Sequence, residues 1–325
     1  MRQQWIRRSA AATLAAALLS VSASALFDRE EPAQTEAGAP AVQDVEVTTY
    51  RDIAAQGQFR LANSEGEVTY AVAEEPEKGT VTIDGAAFIY TPEEGVTGKD
   101  RFTYTATDSA GRVSAPAAVE VRIEKPKSGV QYADTAGSTA AAAAQYLAEE
   151  GIFTGAKIGE QYYFEPDRTV SRGEFLALAL ETAGREVTDV TMTGFSDDAS
   201  IPTWAKAYAA AGVAEGLVQG KTTAAGAAFQ GEEPITFNEA ATVLNRLLNL
   251  GDVDLDVWFA DREAVPSWAA QAVGNMEAYS VLSAGSFGSG ELEEPVTRAD
   301  AARMLSAAGT LLAGQEPEGL FGWLK

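Results

Sequence analysis

The chain of 325 residues contains no cysteine and no histidine. These absences exclude disulfide frameworks, thiol nucleophiles, histidine-based catalytic triads and the usual zinc ligands. A pair of carboxylates is still able to hydrolyse glycosides, so a glycan-processing enzyme remains an alternative. Neither half of the chain, however, contains an embedded region of catalytic-domain size, and we therefore expect a protein that is not an enzyme.

Basic residues are scarce. The chain has 24 Lys and Arg residues against 47 Asp and Glu residues, which gives a formal net charge of −23. Neutralising phosphates requires clustered Lys and Arg, so this balance argues against nucleic acid and anionic lipid as partners. Hydrogen-bond donors close to the site must hold any anionic ligand, because the net negative charge of the chain repels it at long range.

Long apolar runs are missing after the first residues. Residues 10–21 are apolar but too short to span a bilayer, and they follow Arg2, Arg7 and Arg8. The small residues Ala23 and Ala25 then flank Ser24, as in a signal peptidase site. We expect an exported protein that is cleaved before Leu26 and has no membrane insertion afterwards.

Residues 42–124 show the period-two alternation of half-buried strands. Asp84-Gly85 lies between two of these segments and predicts a tight hairpin turn. About seven short strands in this length predict a β-sandwich. The clearest strand segments are 68–72, 80–83, 87–90, 102–106 and 117–123.

This segment resembles the cadherin-like, Ig-type repeat of bacterial surface proteins. The resemblance is carried by Pro76-Glu77-Lys78-Gly79-Thr80-Val81, Phe88-Ile89-Tyr90-Thr91-Pro92 and Gly98-Lys99-Asp100-Arg101-Phe102-Thr103-Tyr104. It implies a spacer or an adhesive module. Calcium at Asp100 and Asp108 is an alternative, but acidic turn residues usually only form turns, and we expect no other cofactor.

A unit occurs three times in the remaining residues, and copies of such a unit must pack on one another to bury their apolar faces. The openings are Tyr132-Ala133-Asp134, Phe195-Ser196-Asp197 and Phe259-Ala260-Asp261. The closings are Ser171-Arg172-Gly173-Glu174, Thr236-Phe237-Asn238-Glu239 and Thr297-Arg298-Ala299-Asp300. Successive opening aspartates are 63 and 64 residues apart.

Each unit contains two amphipathic helices joined by a loop, with apolar residues at i, i+3, i+4 and i+7. The predicted fold class is therefore a multi-domain chain, an all-β Ig-like sandwich followed by an all-α part made of three helix-loop-helix units. The predicted boundaries are 1–25 (signal peptide), 26–41 (flexible linker), 42–124 (sandwich), 125–129 (linker), 130–187, 193–250 and 257–313 (repeats 1 to 3) and 314–325 (tail).

The closings are capping boxes. In each one, the hydroxyl accepts a hydrogen bond from the backbone N–H of the acidic residue three positions later, and the carboxylate of that residue accepts one from the backbone N–H of the hydroxyl residue. Their simplest role is to begin helices, each cap contributing about 1 kcal/mol. Arg172 and Arg298 occupy the first helical position, where a cation is mildly unfavourable. Beside free amides at a helix N-terminus, arginine suits a carboxylate or phosphate ligand.

The repeats resemble the S-layer homology (SLH) repeat. The resemblance is carried by the openings and closings, Pro202-Thr203-Trp204-Ala205, Pro266-Ser267-Trp268-Ala269 and Phe164-Glu165-Pro166-Asp167. It implies that the three SLH repeats form an all-α pseudo-threefold bundle in a cell-wall protein of the S-layer class. The grooves between repeats are then expected to bind anionic secondary wall polysaccharide, often pyruvylated. Peptidoglycan is the alternative wall partner.

Carried over to this sequence, the resemblance places Arg172 and Arg298 on the acidic sugar, oriented by Ser171 and Thr297. The other candidate ligand residues are Glu174, Asp300, Asp134, Asp197, Asp261, Trp204 and Trp268. Phe237 replaces arginine in repeat 2, so we expect that groove to be weakened. An alternative function makes the sandwich an adhesin or an assembly subunit that binds a protein or glycan.

Overall fold

The N-terminal part of the protein is a two-sheet β-sandwich in the computed structural model, which describes residues 38–63, 67–259 and 262–315. The predicted signal peptide, Asp261, most of the predicted spacer and most of the tail lie outside the described residues. The nine strands are β1 Ala41–Gln43, β2 Val45–Tyr50, β3 Ala55–Gln58, β4 Arg60–Asn63, β5 Val68–Glu74, β6 Gly79–Asp84, β7 Ala87–Pro92, β8 Gly98–Asp108 and β9 Ala117–Glu124.

One sheet has the order β2-β9-β8-β5 and the other has the order β3-β7-β6, while β1 and β4 form a separate pair. The predicted strands are all present, and β6 and β7 form the predicted hairpin. Its turn contains Gly85 and Ala86, one residue later than predicted, with Gly85 at φ 58°. Strand β1 begins at Ala41, so the predicted linker extended one residue too far.

The alternating apolar residues of β7, β8 and β9 form a core of their own, which includes Phe88, Tyr90, Phe102 and Tyr104. At the edge of this core, Asp100 is buried and accepts hydrogen bonds from Lys78 N, Glu77 N and the Tyr90 hydroxyl. Burial alone would raise the pKa of Asp100, but these hydrogen bonds together lower it.

Asp108 has a similar local role. Its carboxylate accepts hydrogen bonds from Ala110 N, Arg112 N and Arg112 Nε. Protein donors thus engage the carboxylates of both Asp100 and Asp108, which lie in β8 and bond to neighbouring segments. This geometry favours a structural role over the calcium alternative.

The C-terminal part consists of helix pairs with short hairpins between them. Its elements are α1 Ala141–Glu149, β10 Ala156–Ile158, β11 Gln161–Tyr163, α2 Arg172–Thr182, α3 Thr203–Ala214, β12 Lys221–Thr223, β13 Gly226–Ala228, α4 Phe237–Leu248, α5 Leu255–Trp258, α6 Ala270–Ala278 and α7 Arg298–Gln315. The hairpins β10–β11 and β12–β13 lie in the loops of repeats 1 and 2. The prediction of an all-α region was therefore wrong in this detail.

Three equivalent backbone positions, one from each repeat, bond to one another in a closed cycle. Val170 N donates to Val296 O (2.9 Å), Val296 N donates to Ile235 O (2.8 Å) and Ile235 N donates to Val170 O (3.1 Å). The three side chains are buried in one hydrophobic cluster that the helices of all the repeats share. The repeats consequently form a single packed body.

The linker between the two parts is fixed by α1. Lys127 N, Ser128 N and Ser128 Oγ all donate to the carboxylate of Glu149, which also accepts from Gln145 Nε2.

Within the part of the chain that the structure describes, no helix combines the length and apolar character that a membrane span requires.

Candidate functional site

The predicted capping boxes begin α2, α4 and α7. In repeat 1, Ser171 Oγ accepts from Glu174 N (3.2 Å) and Ser171 N donates to Glu174 Oε2 (3.0 Å). Thr236 is bonded reciprocally to Glu239 in the same way. Thr297 N donates to Asp300 Oδ2 (3.1 Å), and Asp300 N donates to Thr297 Oγ1 (3.2 Å). The sequence therefore identified the helix starts correctly.

The first amides of α2 and α7 are not free, contrary to the prediction that they assist an anion. They donate to loop carbonyls of the next repeat in the cycle. The bonds are Arg172 N to Glu233 O (2.9 Å), Gly173 N to Gly231 O (2.8 Å), Arg298 N to Arg168 O (2.7 Å) and Ala299 N to Pro166 O (2.9 Å). These donors stabilise the contacts between repeats.

The side chain of Arg172 is also directed to the next repeat. Its Nη1 is 2.7 Å from Glu239 Oε1, and its Nε donates to Phe229 O at 3.1 Å. Only 11% of the side chain is exposed. The guanidinium thus joins repeat 1 to repeat 2, and its contact with an acidic sugar stays a prediction.

Arg298 makes the corresponding contact from repeat 3 to repeat 1. Its Nη1 donates to Phe164 O (2.6 Å) and to Glu165 Oε2 (3.0 Å), and the group lies 5.0 Å from the Phe153 ring centroid. Burial and the nearby charge of Arg168 lower the pKa of Arg298. As with Arg172, these contacts join two repeats, and the ligand role of Arg298 stays a prediction.

Asp134 and Asp197 support loops through their carboxylates. The two oxygens of Asp134 accept from Phe164 N (2.8 Å) and Glu165 N (2.7 Å). Those of Asp197 accept from Phe229 N and Gln230 N, both at 2.8 Å. Both aspartates therefore have a structural role in their repeats, and their role towards a ligand stays a prediction.

A cleft of about 380 Å³ lies between repeats 1 and 2. We call it the repeat 1–2 cleft. It brings together three predicted site residues, Ser171, Glu174 and Trp204, whereas Arg172, Arg298, Thr297, Asp300 and Trp268 do not line it. The residues that line it are Arg168, Thr169, Ser171, Glu174, Pro202, Trp204, Glu232 and Pro234.

Arg168 is the residue of this cleft that sequence reasoning missed. Its side chain is 51% exposed, and its Nη2 lies 2.7 Å from Glu174 Oε1. Alignment of the closings places Glu233 and Glu294 at the equivalent positions of the other repeats. This charge reversal, confined to repeat 1, was a signal that sequence analysis could have used.

Trp204 lies at the start of α3 and is 51% exposed, and Trp268 just before α6 is 58% exposed. Large aromatic side chains are usually buried, so two exposed tryptophans near equivalent helix starts are notable. An indole face offers a flat apolar surface with one polar group at its edge. This exposure favours a ligand-platform role over a core role for both residues.

The chemistry of the repeat 1–2 cleft is mixed. Among the described residues that line it, Arg168 alone is basic, and Glu174 and Glu232 are acidic. The cleft thus offers one guanidinium donor, two carboxylate acceptors and an aromatic face. This set suits a polar ligand with hydroxyl groups and a single negative charge near Arg168.

The fold and the cleft together define a modular protein, an Ig-like sandwich followed by a helical repeat body with a polar, aromatic cleft. The bacterial Ig domain model matches residues 37–122. The S-layer homology (SLH) domain model matches residues 131–176 and 194–241, whereas the helices of repeat 3 lie outside the matched residues. SLH domains bind cell-wall polymers, and their presence indicates a protein associated with the cell surface.

Comparison with solved structures gives distant likenesses. A Clostridium thermocellum CbhA fibronectin(III)-like module is 15% identical, with coverage of 26% of this chain and 92% of the module and a TM-score of 0.17. The PKD domain of human KIAA0319 is 12% identical, with 32% and 98% coverage and a TM-score of 0.20. A Photobacterium 2,6-sialyltransferase is 10% identical with a TM-score of 0.21, and the match spans 18% of that enzyme. No curated protein matches the chain.

Proposed function

We propose that this is a non-catalytic surface protein held without covalent bonds to an anionic, pyruvylated cell-wall polysaccharide. The polymer binds in the repeat 1–2 cleft, and the Ig-like sandwich is displayed as a spacer or adhesive module. The observation that carries the proposal is the pairing of an exposed indole, Trp204, with an exposed guanidinium, Arg168, in one cleft between SLH repeats.

The two side chains contribute different parts of the recognition. Trp204 provides a flat face on which a sugar ring packs. Arg168 provides N–H donors that match a carboxylate such as that of a pyruvate ketal. Glu174 holds Arg168 in place through its contact at Nη2, and Glu174 and Glu232 accept hydrogen bonds from sugar hydroxyls.

The repeats act as one pseudo-threefold unit in this proposal. Arg172 and Arg298 bridge neighbouring repeats and thereby fix the cleft walls, so that the ligand meets a preformed site. Because the chain is strongly acidic, long-range attraction for the polymer is weak. Affinity then depends on Arg168 at short range and decreases at high salt.

The proposal is tested by sedimentation of the full-length chain with purified cell-wall sacculi. We expect binding to native sacculi and loss of binding when the pyruvylated polymer is chemically removed. Arg168→Gln and Trp204→Ala should each weaken binding by about tenfold, a loss of about 1.4 kcal/mol. Arg185→Gln is a matched control, because Arg185 is 49% exposed and pairs with Glu215 as Arg168 pairs with Glu174.

Two results would overturn the proposal. Equal loss in the Arg185 and Arg168 variants would mean that only net charge matters. Full binding to stripped sacculi would point to peptidoglycan and remove the role of the acidic polymer.

A further inference from the structure

A second concave surface lies between the sandwich and the helical body. It has a volume of about 530 Å³, within the range of roughly 300–1,000 Å³ that is typical of ligand sites. Residues of β2 to β4 form one wall, and α1, α7 and the loop after α6 form the others. We call it the intermodule groove. It is separate from the repeat 1–2 cleft and shares no lining residue with it.

The groove is rich in neutral hydrogen-bonding groups. Gln56 and Gln58 line it from the sandwich, and Ser283, Ser286 and Ser289 line it from repeat 3. The Oγ atom of Ser289 is buried and has no hydrogen-bond partner within the described structure. Buried hydroxyls normally have a partner, so Ser289 Oγ adds an unsatisfied polar atom to this wall of the groove.

Aromatic side chains accompany these polar groups. Tyr146 of α1 and Tyr279 at the end of α6 both line the groove and are partly exposed. Phenol rings pack against sugar faces while the hydroxyl remains available at the rim. A surface that combines amides, hydroxyls and aromatic rings suits a carbohydrate.

The charge of the groove limits which carbohydrate fits. Five carboxylates, including Glu150 and Asp300, line it against two guanidinium groups, Arg60 and Arg303. This excess of negative charge disfavours an acidic sugar, in contrast to the proposed ligand of the repeat 1–2 cleft.

The two walls are held in fixed positions. Glu149 binds the linker at Lys127 and Ser128, and Gln58 Oε1 accepts a hydrogen bond from Ala284 N (3.0 Å) across the groove. A site whose walls are already ordered loses little entropy on binding.

We propose that the intermodule groove binds a short neutral oligosaccharide, with its rings on the tyrosines and its hydroxyl and amide groups on Gln56 and Ser286. An extended peptide is the main alternative, since β3 is an edge strand of its sheet. The four residues of β3, Ala55–Gln58, offer few backbone hydrogen bonds to an added strand. The side-chain chemistry therefore favours the sugar.

The test is isothermal titration calorimetry of the full-length chain with chitotriose, a neutral trisaccharide whose acetamido groups match glutamine amides. We expect one site, weakened about tenfold or more in Ser286→Trp. Gln56→Ala, a change at an exposed side chain of the same groove, should also weaken binding and does not depend on the tryptophan variant folding. Ser109→Trp, at an exposed turn of the sandwich, is the matched control and should bind normally.

Further arms separate this groove from the repeat 1–2 cleft and from other ligands. Chitotriose binding should persist in Trp204→Ala, and trigalacturonate, an anionic trisaccharide, should bind about tenfold more weakly than chitotriose. No chitotriose binding, tighter binding of the anionic sugar, or unchanged binding in both Gln56→Ala and Ser286→Trp would each overturn the inference.

Discussion

At the scale of single residues, hydrogen bonds and a nearby lysine lower the pKa of the Asp198 carboxyl group. Lys206 Nζ lies 2.6 Å from Asp198 Oδ2, and Thr193 donates to Oδ1 through its amide (2.7 Å) and hydroxyl (2.8 Å). Lys206 first, and then Thr193, lower the pKa of Asp198 from 3.8 to about 2. These contacts fix the segment that precedes α3 in repeat 2.

A carboxyl group whose pKa is lower in the folded state makes that state more stable as the pH rises. The charged form of Asp198 stabilises the fold above pH 3.8, and this contribution is lost as the pH falls towards 2. We expect Asp198→Asn to lower the thermal midpoint at pH 7 and the gap from the wild type to close by about pH 2. Thermal melts across this range measure the gap. Asp167→Asn, at an exposed residue of repeat 1, is the control and should leave the thermal midpoint at pH 7 close to that of the wild type. A constant gap for Asp198→Asn would disprove the linkage.

The arginines show which residue-scale information the sequence did not contain. The repeated pattern singled out Arg172 and Arg298 as ligand residues, but their acceptors within the chain lie far away in sequence, 57 residues for Phe229 and 134 residues for Phe164. Each acceptor carbonyl precedes a residue with positive φ, Gln230 at 55° and Glu165 at 56°. Local spacing could not reveal that these loops present carbonyls to a neighbouring repeat.

At the scale of elements, the caps of α2 and α4 allow helix initiation to be separated from ligand binding. Ser171 lines the repeat 1–2 cleft and Thr236 does not, although both form capping boxes. We expect Ser171→Ala and Thr236→Ala each to cost about 1 kcal/mol in the free energy of unfolding.

Only Ser171→Ala should weaken sedimentation with sacculi beyond what its loss of stability explains. Denaturant unfolding gives the stability of each variant, and the sacculus assay gives the binding. If the two variants bind equally well, Ser171 is a helix cap alone and does not contact the polymer.

Elements with strong local periodicity could be predicted from the sequence, whereas elements defined by distant partners could not. Strands β5 to β9 and the helix starts at Arg172, Phe237 and Arg298 follow from alternation and capping. Strand β2 was missed as a named element because its pairing is parallel to β9, more than 60 residues away. Hairpins β10–β11 and β12–β13 have three-residue strands, too short for a periodic signal.

Some residues of the candidate site could likewise be predicted from the sequence, and others could not. Trp204, Ser171 and Glu174 could be placed because each belongs to a repeated motif. Arg168 is not part of a repeated motif, and only its departure from Glu233 and Glu294 in the other repeats distinguishes it in the sequence. Its role depends on how repeats 1 and 2 pack, and this packing could not be predicted from the sequence.

At the scale of the whole molecule, the two parts have separate hydrophobic cores. One core lies within the sandwich around Tyr90 and Tyr104, and the other is shared by the repeats. The closed cycle through Val170, Val296 and Ile235 joins the repeats, so disruption of one repeat is transmitted to the other two. We therefore expect two cooperative units, the sandwich and the complete three-repeat body.

Scanning calorimetry of the full-length chain should show two transitions that different variants shift separately. Arg298→Met leaves Phe164 O without its donor and should lower the helical transition, at a cost of about 1–3 kcal/mol. Asp100→Asn replaces an acceptor for Lys78 N and the Tyr90 hydroxyl and should lower the sandwich transition by a similar energy. Each variant is the control for the other, because the changed residues belong to different cores. A single transition moved by both variants would show that the contacts across the intermodule groove, and not the separate cores, determine the cooperativity of the molecule.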